Sequence, residues 1–204
     1  MINFSFSKDY DIIIDGFPRS ANTFSVCAFE EAQIKQVDVG HHSHDPNFII
    51  FGVQNHMPVM LLIRRPEDAI LSFAIYANIP VERALDMYID FYSTVKPHLS
   101  GCVVAPFETV TTDFGECIDL VNKKFNTGFM TFNHTKENTD RIFHIMDQQM
   151  EILETDHQLI EQKRPMPTQS RSKLKESLSS ELHTPQLEEK MKLANQLYEE
   201  IITS

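Results

Sequence analysis

The residues of this chain that could do chemistry gather where apolar runs give way to polar loops. The first such place is Asp11-Ile-Ile-Ile-Asp-Gly-Phe-Pro-Arg-Ser-Ala-Asn-Thr-Phe24. Ile12 to Ile14 is a short β-branched run that suits a buried strand of a parallel sheet, and Gly16 ends it. Beyond Pro18, the backbone N–H groups of Arg19, Ser20, Ala21, Asn22 and Thr23 can converge on an anion at the start of a helix, where the helix dipole also favours negative charge. A loop of this kind cradles phosphate or sulfate. It is not a Walker A element, which would need a second glycine and a lysine before its Ser or Thr.

The second place is Met57-Pro-Val-Met-Leu-Leu-Ile-Arg-Arg-Pro-Glu-Asp-Ala-Ile-Leu-Ser72, another strand-to-helix step. Arg64 leaves the strand at its carboxyl end, where open α/β sheets place their ligands. Ser72 follows on the next helix, so a guanidinium and a hydroxyl could grip one anion between them. Between the two junctions lies Gly40-His-His-Ser-His-Asp-Pro46. A histidine there is suited to take a proton near neutral pH. His41, His42 and His44 are not read as a zinc site, because neighbours on one loop point apart and no Cys or second His pair accompanies them. No metal is expected. Asp45 suits either the orientation of a histidine or a turn before Pro46.

The elements that must position these residues alternate in the first half as strand and helix, the pattern of a parallel α/β sheet covered by helices. Strands are expected over Tyr10 to Asp15, Ile34 to Val39, Pro58 to Ile63 and Gly101 to Pro106. Helices are expected over Asn22 to Gln33, Pro66 to Ala77, Val81 to Val95 and Thr112 to Phe125. The third of these repeats apolar residues at Val81, Ala84, Leu85, Tyr88, Phe91, Tyr92 and Val95, one buried face at helical spacing. From Thr135 onward the chain reads as mostly helical, with Ile142, Ile145, Met146, Met150, Ile152 and Leu153 as packing positions. Lys163 to Lys173 carries two prolines and a basic cluster and reads as an exposed loop. Thr184-Pro185 is expected to open a last helix as cap and first-turn proline, with Leu187, Met191, Ala194, Tyr198 and Ile201 as its core stripe.

A length of 204 residues fits a single domain spanning 1–204. The net charge of −11 argues against non-specific binding to nucleic acid or to an anionic membrane, which both draw on accumulated Lys and Arg. An anionic ligand would therefore need a local basic pocket. Cys27, Cys102 and Cys117 lack metal-ligand spacing and read as reduced core residues. With neither a signal-peptide pattern nor a run of membrane-spanning length, the chain reads as a soluble cytoplasmic protein.

The ordered pair of junctions resembles the sulfotransferase family that uses 3′-phosphoadenosine 5′-phosphosulfate (PAPS). Pro18-Arg-Ser-Ala-Asn-Thr-Phe24 is similar to that family's 5′-phosphosulfate loop, Pro-Lys-Ser-Gly-Thr-Thr-Trp, and Arg64-Arg-Pro-Glu-Asp-Ala-Ile-Leu-Ser72 to its 3′-phosphate motif, Arg-Asn-Pro-x-Asp-x-x-x-Ser. The resemblance covers roughly the first 110 residues. It implies a P-loop-NTPase-like α/β architecture with a mostly helical C-terminal part. It also implies that Arg19 and the N–H groups from Ser20 through Thr23, Ala21 and Asn22 included, hold the 5′-phosphosulfate, and that Arg64 and Ser72 hold the 3′-phosphate. Phe24 takes the place of an aromatic residue that packs on adenine, a role that competes with core burial. Phe107-Glu108 is similar to a Tyr-Glu pair near the adenine. Arg171, with Lys173 behind it, lies where a C-terminal basic loop folds over the 3′-phosphate in relatives.

His42-Ser43-His44 resembles the family's Lys-Thr-His step, which makes His44 the expected base and puts His42 in the place of the auxiliary lysine. A small gap would exchange them, so both stay candidates. The chain departs from the pattern in two ways: Arg19 replaces the lysine, a planar fork for a point donor, and Ala21-Asn22 replaces Gly-Thr, which removes a hydroxyl and a permissive residue. The implied activity is sulfuryl transfer from PAPS to a hydroxyl or amine of a small-molecule or carbohydrate acceptor. That acceptor would meet residues 79–99 and 136–162. The alternatives are a P-loop-like nucleoside or small-molecule kinase, and a catalytically silent nucleotide-binding module.

Overall fold

Four short strands run parallel in the order β2-β1-β3-β4, and helices cover both faces of the sheet. The structure is a computed structural model that describes residues 6, 9–153 and 169–204. The strands are β1 (Ile12–Gly16), β2 (Val39–His41), β3 (Val59–Ile63) and β4 (Val103–Pro106). The helices among the described residues are α1 (Asn22–Ala32), α2 (Pro46–Gln54), α3 (Pro66–Ala77), α4 (Val81–Val95), α5 (Phe107–Thr112), α6 (Phe114–Phe125), α7 (Lys136–Leu153), α8 (Gln169–Leu182) and α9 (Glu188–Ile202). The expected α/β architecture, a central parallel sheet flanked by helices, is what the chain adopts.

Strand alternation divides the core in two. Ile13, Val59, Leu61 and Ile63 point to one face, where Phe48, Ile70, Leu85, Tyr88, Tyr92, Met191 and Tyr198 of α2, α3, α4 and α9 meet them. Ile12, Ile14, Met60, Leu62, Val103 and Ala105 point to the other, against Phe24, Phe29, Phe114, Ile118, Ile142 and Met146 of α1, α6 and α7. Each fully buried Ile or Leu contributes about 1.5–3 kcal/mol, so β1 and β3, buried along their whole length, anchor the edge from which the polar loops spring. At that edge the strands approach closely. A Cβ on Gly16 would lie 2.1 Å from the carbonyl oxygen of Leu62.

Several expectations are corrected. The second strand is Val39–His41 rather than Ile34 to Val39. Ile34 is 83% exposed, and the preceding Gln33 side chain ties the end of α1 to Phe29 O and Met130 O, so the β-branched residue stands in a turn. Helix α2 was not anticipated; Asp45 caps it by accepting from Asn47 N, with Pro46 at its first position. The helix expected over Thr112 to Phe125 is α6, which starts two residues later, at Phe114, because the Asp113 carboxylate caps it through Glu116 N; the short α5 before it was not anticipated. Ile152 is 81% exposed and no packing residue, whereas Ile142 and Met146 are buried as expected.

The last helix starts at Glu188 rather than behind Thr184, whose hydroxyl donates back to Glu181 O at the end of α8. Its stripe of Leu187, Met191, Ala194, Tyr198 and Ile201 is buried as expected. Of the expected loop from Lys163 to Lys173, residues 163–168 lie outside the described residues, and residues 169–173, Arg171 among them, begin α8 instead. The three cysteines are free and buried, as expected. No helix among the described residues is long and apolar enough to cross a membrane.

Candidate anion site at the carboxyl edge of the sheet

Because all four strands are parallel, their following segments emerge at one edge. Phe17–Ala21 follows β1, His42–His44 follows β2, Arg64 follows β3 and Phe107 follows β4. The loop after β1 is built from unusual backbone. Arg19 and Ala21 have φ of 69° and 68°, the left-handed region that side chains with a Cβ disfavour. Asn22 stitches the loop to itself through Nδ2 donating to Phe17 O at 3.0 Å. Ala21 stands at the N-cap of α1 and offers no side-chain acceptor, which leaves the opening N–H groups of the helix for an anion. Ser20 and Asn22 are buried beneath the loop.

Two arginines converge here. Arg19 Nε donates to Ser72 Oγ at 3.0 Å, and its guanidinium lies 5.2 Å from the ring centre of Tyr76, one turn further along α3. Arg64 Nη1 donates to the carbonyl of Arg19 at 3.2 Å, and its guanidinium sits 4.0 Å over the ring of Phe107. Tyr88, from the buried face of α4, donates its hydroxyl to Arg64 O at 2.8 Å and fixes the backbone at that point. Arg64 Nε is buried without a hydrogen-bond partner among the described residues. Desolvation lowers the Arg64 pKa against the opposing pull of Asp68 and Glu108, yet an arginine stays cationic. A desolvated cation with an unspent N–H is what a phosphate oxygen would satisfy. The first turn of α3 carries Glu67 and Asp68, which disfavour an anion at that helix terminus.

The histidine loop is held from below by a residue that the motifs did not single out. Asp15, 1% exposed, accepts from Gly16 N at 2.8 Å through Oδ1, and from Ser43 N at 2.8 Å and His44 N at 3.1 Å through Oδ2. His44 Nδ1 lies 2.9 Å from Gly16 O and 3.3 Å from Asp15 Oδ1. A carbonyl only accepts, so Nδ1 carries the proton and Nε2 is left as the basic nitrogen. Desolvation would lower the His44 pKa, but the hydrogen bond and charge of Asp15 and the Gly16 carbonyl together raise it above the ordinary value. Among the described residues Asp45 orients no histidine, its carboxylate being engaged by Asn47; that part falls to Asp15. The signal in sequence was an acid closing an otherwise apolar strand.

His42 is differently placed. Its Nε2 is 3.1 Å from Thr23 Oγ1 and its Nδ1 2.7 Å from His41 Nδ1. Desolvation first, then His41 and His44, push its pKa down to about 4. A neutral His42 therefore meets Thr23, at the start of α1, with a hydrogen bond where the resemblance places a lysine's charge. Phe24 turns inward, 5% exposed among Phe114, Phe132, Phe143 and His134, so the burial alternative describes it. Arg171 is helical in α8. The structure thus brings together Arg19, Ser20, Ala21, Asn22, Thr23, Arg64, Ser72, Phe107, His42 and His44. It adds Asp15, Tyr76 and Tyr88.

No family model matches the sequence, and no curated protein matches it. Among solved structures, a mouse sulfotransferase, SULT7A1, complexed with PAP, is similar over 95% of this chain and 90% of its own, with 12% sequence identity and a TM-score of 0.49. A likeness at that level assigns no residue a role.

Proposed function

We propose that this chain is a sulfotransferase that moves a sulfuryl group from PAPS to a hydroxyl or amine of a small-molecule or carbohydrate acceptor, with His44 taking the acceptor's proton. One observation carries the reading. Arg19, Ser72 and Arg64 are joined by hydrogen bonds at the carboxyl edge of the sheet, with Arg64 Nε unspent, and the same edge carries a histidine whose Nε2 is left basic by Gly16 and Asp15. The motif resemblance of the two junctions gives that arrangement its chemistry. In a chain of net charge −11, a pair of partly buried arginines also supplies the local positive charge that an anionic nucleotide needs.

PAPS would supply the activated sulfuryl group. The opening N–H groups of α1 and Arg19 would hold its 5′ end, and Arg19 would neutralise the charge that develops on the departing phosphate. Arg64, braced by Phe107, and Ser72 would hold the 3′-phosphate. His44 Nε2 would receive the acceptor's proton while Asp15 stabilises the imidazolium that results. Titration calorimetry with adenosine 3′,5′-bisphosphate tests the site: micromolar binding that Arg64→Ala abolishes is expected, and no binding to the native chain refutes the proposal. Transfer of radiolabelled sulfuryl groups across an acceptor panel tests the chemistry. Loss of transfer in His44→Ala at unchanged bisphosphate affinity separates an enzyme from a silent binding module.

A further inference from the structure

One carboxylate at the rim of the site is shared by two cations that lie far apart in sequence. Asp68 Oδ1, in the first turn of α3, is 2.9 Å from Lys175 Nζ of α8 and 3.9 Å from Arg64 Nη2. The shorter contact is a charge-assisted hydrogen bond, and the longer one lies at the outer limit of an ion pair. Both cations compete for the same oxygen. If Asp68 closed on Arg64, the guanidinium would be neutralised by its own chain before any ligand arrived. Helix α8 is held on α3 by two further contacts that leave Asp68 alone: Ser179 Oγ donates to Glu67 Oε1 at 2.8 Å, and His183 Nε2 lies 3.4 Å from the same oxygen. Around Asp68, the charged groups on neighbouring elements are Arg64, Arg65 and Lys175.

We propose that Lys175 is a positioning residue for anion binding: by engaging Asp68 Oδ1 it keeps that carboxylate from closing on Arg64, and so leaves the guanidinium to a phosphate. This rests on the reading of Arg64 as a phosphate ligand. It gives the C-terminal helical part a function in a site otherwise built by the sheet edge, through a residue that no phosphate needs to touch. Lys175 is itself a cation near the rim, so a direct field effect on the ligand must be separated from an effect through Asp68.

The experiment is calorimetric titration of the full chain with adenosine 3′,5′-bisphosphate, in the native protein and in Lys175→Gln, Lys175→Arg, Asp68→Asn, Ser179→Ala and the Lys175→Gln/Asp68→Asn double variant. Lys175→Gln is expected to weaken binding by about threefold to fivefold, the upper range for coupling in a partly exposed ion pair. Lys175→Arg restores it, and Ser179→Ala leaves it unchanged. Once Asp68 is Asn, Lys175→Gln has no further effect. An equal loss in the Asp68→Asn background means that Lys175 acts by its own field, and an equal loss in Ser179→Ala means that helix docking alone matters; either overturns the proposal. A native protein that binds while Lys175→Gln matches it overturns this proposal only. A native protein that does not bind overturns the phosphate reading of Arg64 and this proposal with it.

Discussion

Asp15→Asn is the substitution that probes most directly how the site is built. The carboxylate is buried and accepts three backbone N–H groups, one from Gly16 on Oδ1 and those of Ser43 and His44 on Oδ2, besides facing His44 Nδ1. An asparagine keeps one acceptor oxygen and turns an NH2 toward the other set of donors. At least one buried N–H then loses its acceptor, at about 1–3 kcal/mol, and the surviving bonds lose their charge assistance, so the total cost is about 2–4 kcal/mol. Urea unfolding reads this as a lowered midpoint at unchanged slope.

The loss also depends on pH. In the native chain the folded pKa of His44 is raised, so its protonated form adds stability that is fully present below the unfolded histidine value of about 6.5 and disappears as the pH rises through the folded value. Asp15→Asn removes the strongest cause of that rise. The stability gap between native chain and variant is therefore wider at about pH 5.5 than at about pH 8.5. If His44 acts as a base in its neutral form, the acid limb of the transfer rate moves to lower pH in the variant. A loss below about 1 kcal/mol at either pH, with no change in the gap, would refute the account of Asp15 as the residue that holds the histidine loop.

Three further outcomes are expected. Ala21→Gly relieves a left-handed φ of 68° and stabilises the fold by about 0.5–1 kcal/mol, which raises Tm by about 2 °C in a chain of this size; a fall in Tm would show that the loop carries no strain at Ala21. Gly16→Ala drives a methyl group into the Leu62 carbonyl, backbone against backbone, and costs at least about 3 kcal/mol, the upper end of overpacking; native-like melting of the variant contradicts the close approach of β1 to β3. Phe107→Leu removes the ring beneath Arg64 and weakens adenosine 3′,5′-bisphosphate binding by about 1 kcal/mol, or fivefold in Kd. Unchanged affinity would make Phe107 a cover rather than a brace.

How much of this was legible in the sequence varied with how local the cause was. The boundaries of α3 and α4, and the ends of β3 and β4, were readable to within a residue or two, because Pro66, Pro80 and uninterrupted apolar runs act on their own neighbourhood. The second strand was misplaced because a β-branched Ile34 looks like strand wherever it stands, whereas the ladder is made by Val39–His41 pairing with Ile12, Ile13 and Ile14. Helix α2 was not legible because it is only nine residues long and mostly apolar, so it shows little one-sided periodicity, and its start is marked only by the Asp45-Pro46 cap. In sequence Asp45 was the carboxylate read as a candidate partner of a histidine, and Asp15 was not. The fold reverses this, since Asp45 spends its carboxylate on Asn47 while the buried Asp15 accepts from the histidine loop.

By itself the sequence determined the candidates and the frame that carries them: a polar loop after a β-branched strand, an arginine after another, histidines between, and a parallel sheet to align them. These follow from periodicity, turn residues and charge, which act over a few positions along the chain. Only the tertiary structure decided which side chains meet. Arg19 reaches Ser72 across 53 residues, His44 reaches Asp15 and Gly16 across a parallel pairing, Phe24 turns into the core, and Lys175 comes from the last third of the chain to share Asp68 with Arg64. Those meetings depend on strand order, on which face each residue takes and on how far each carboxylate is removed from water. A one-dimensional pattern does not contain them.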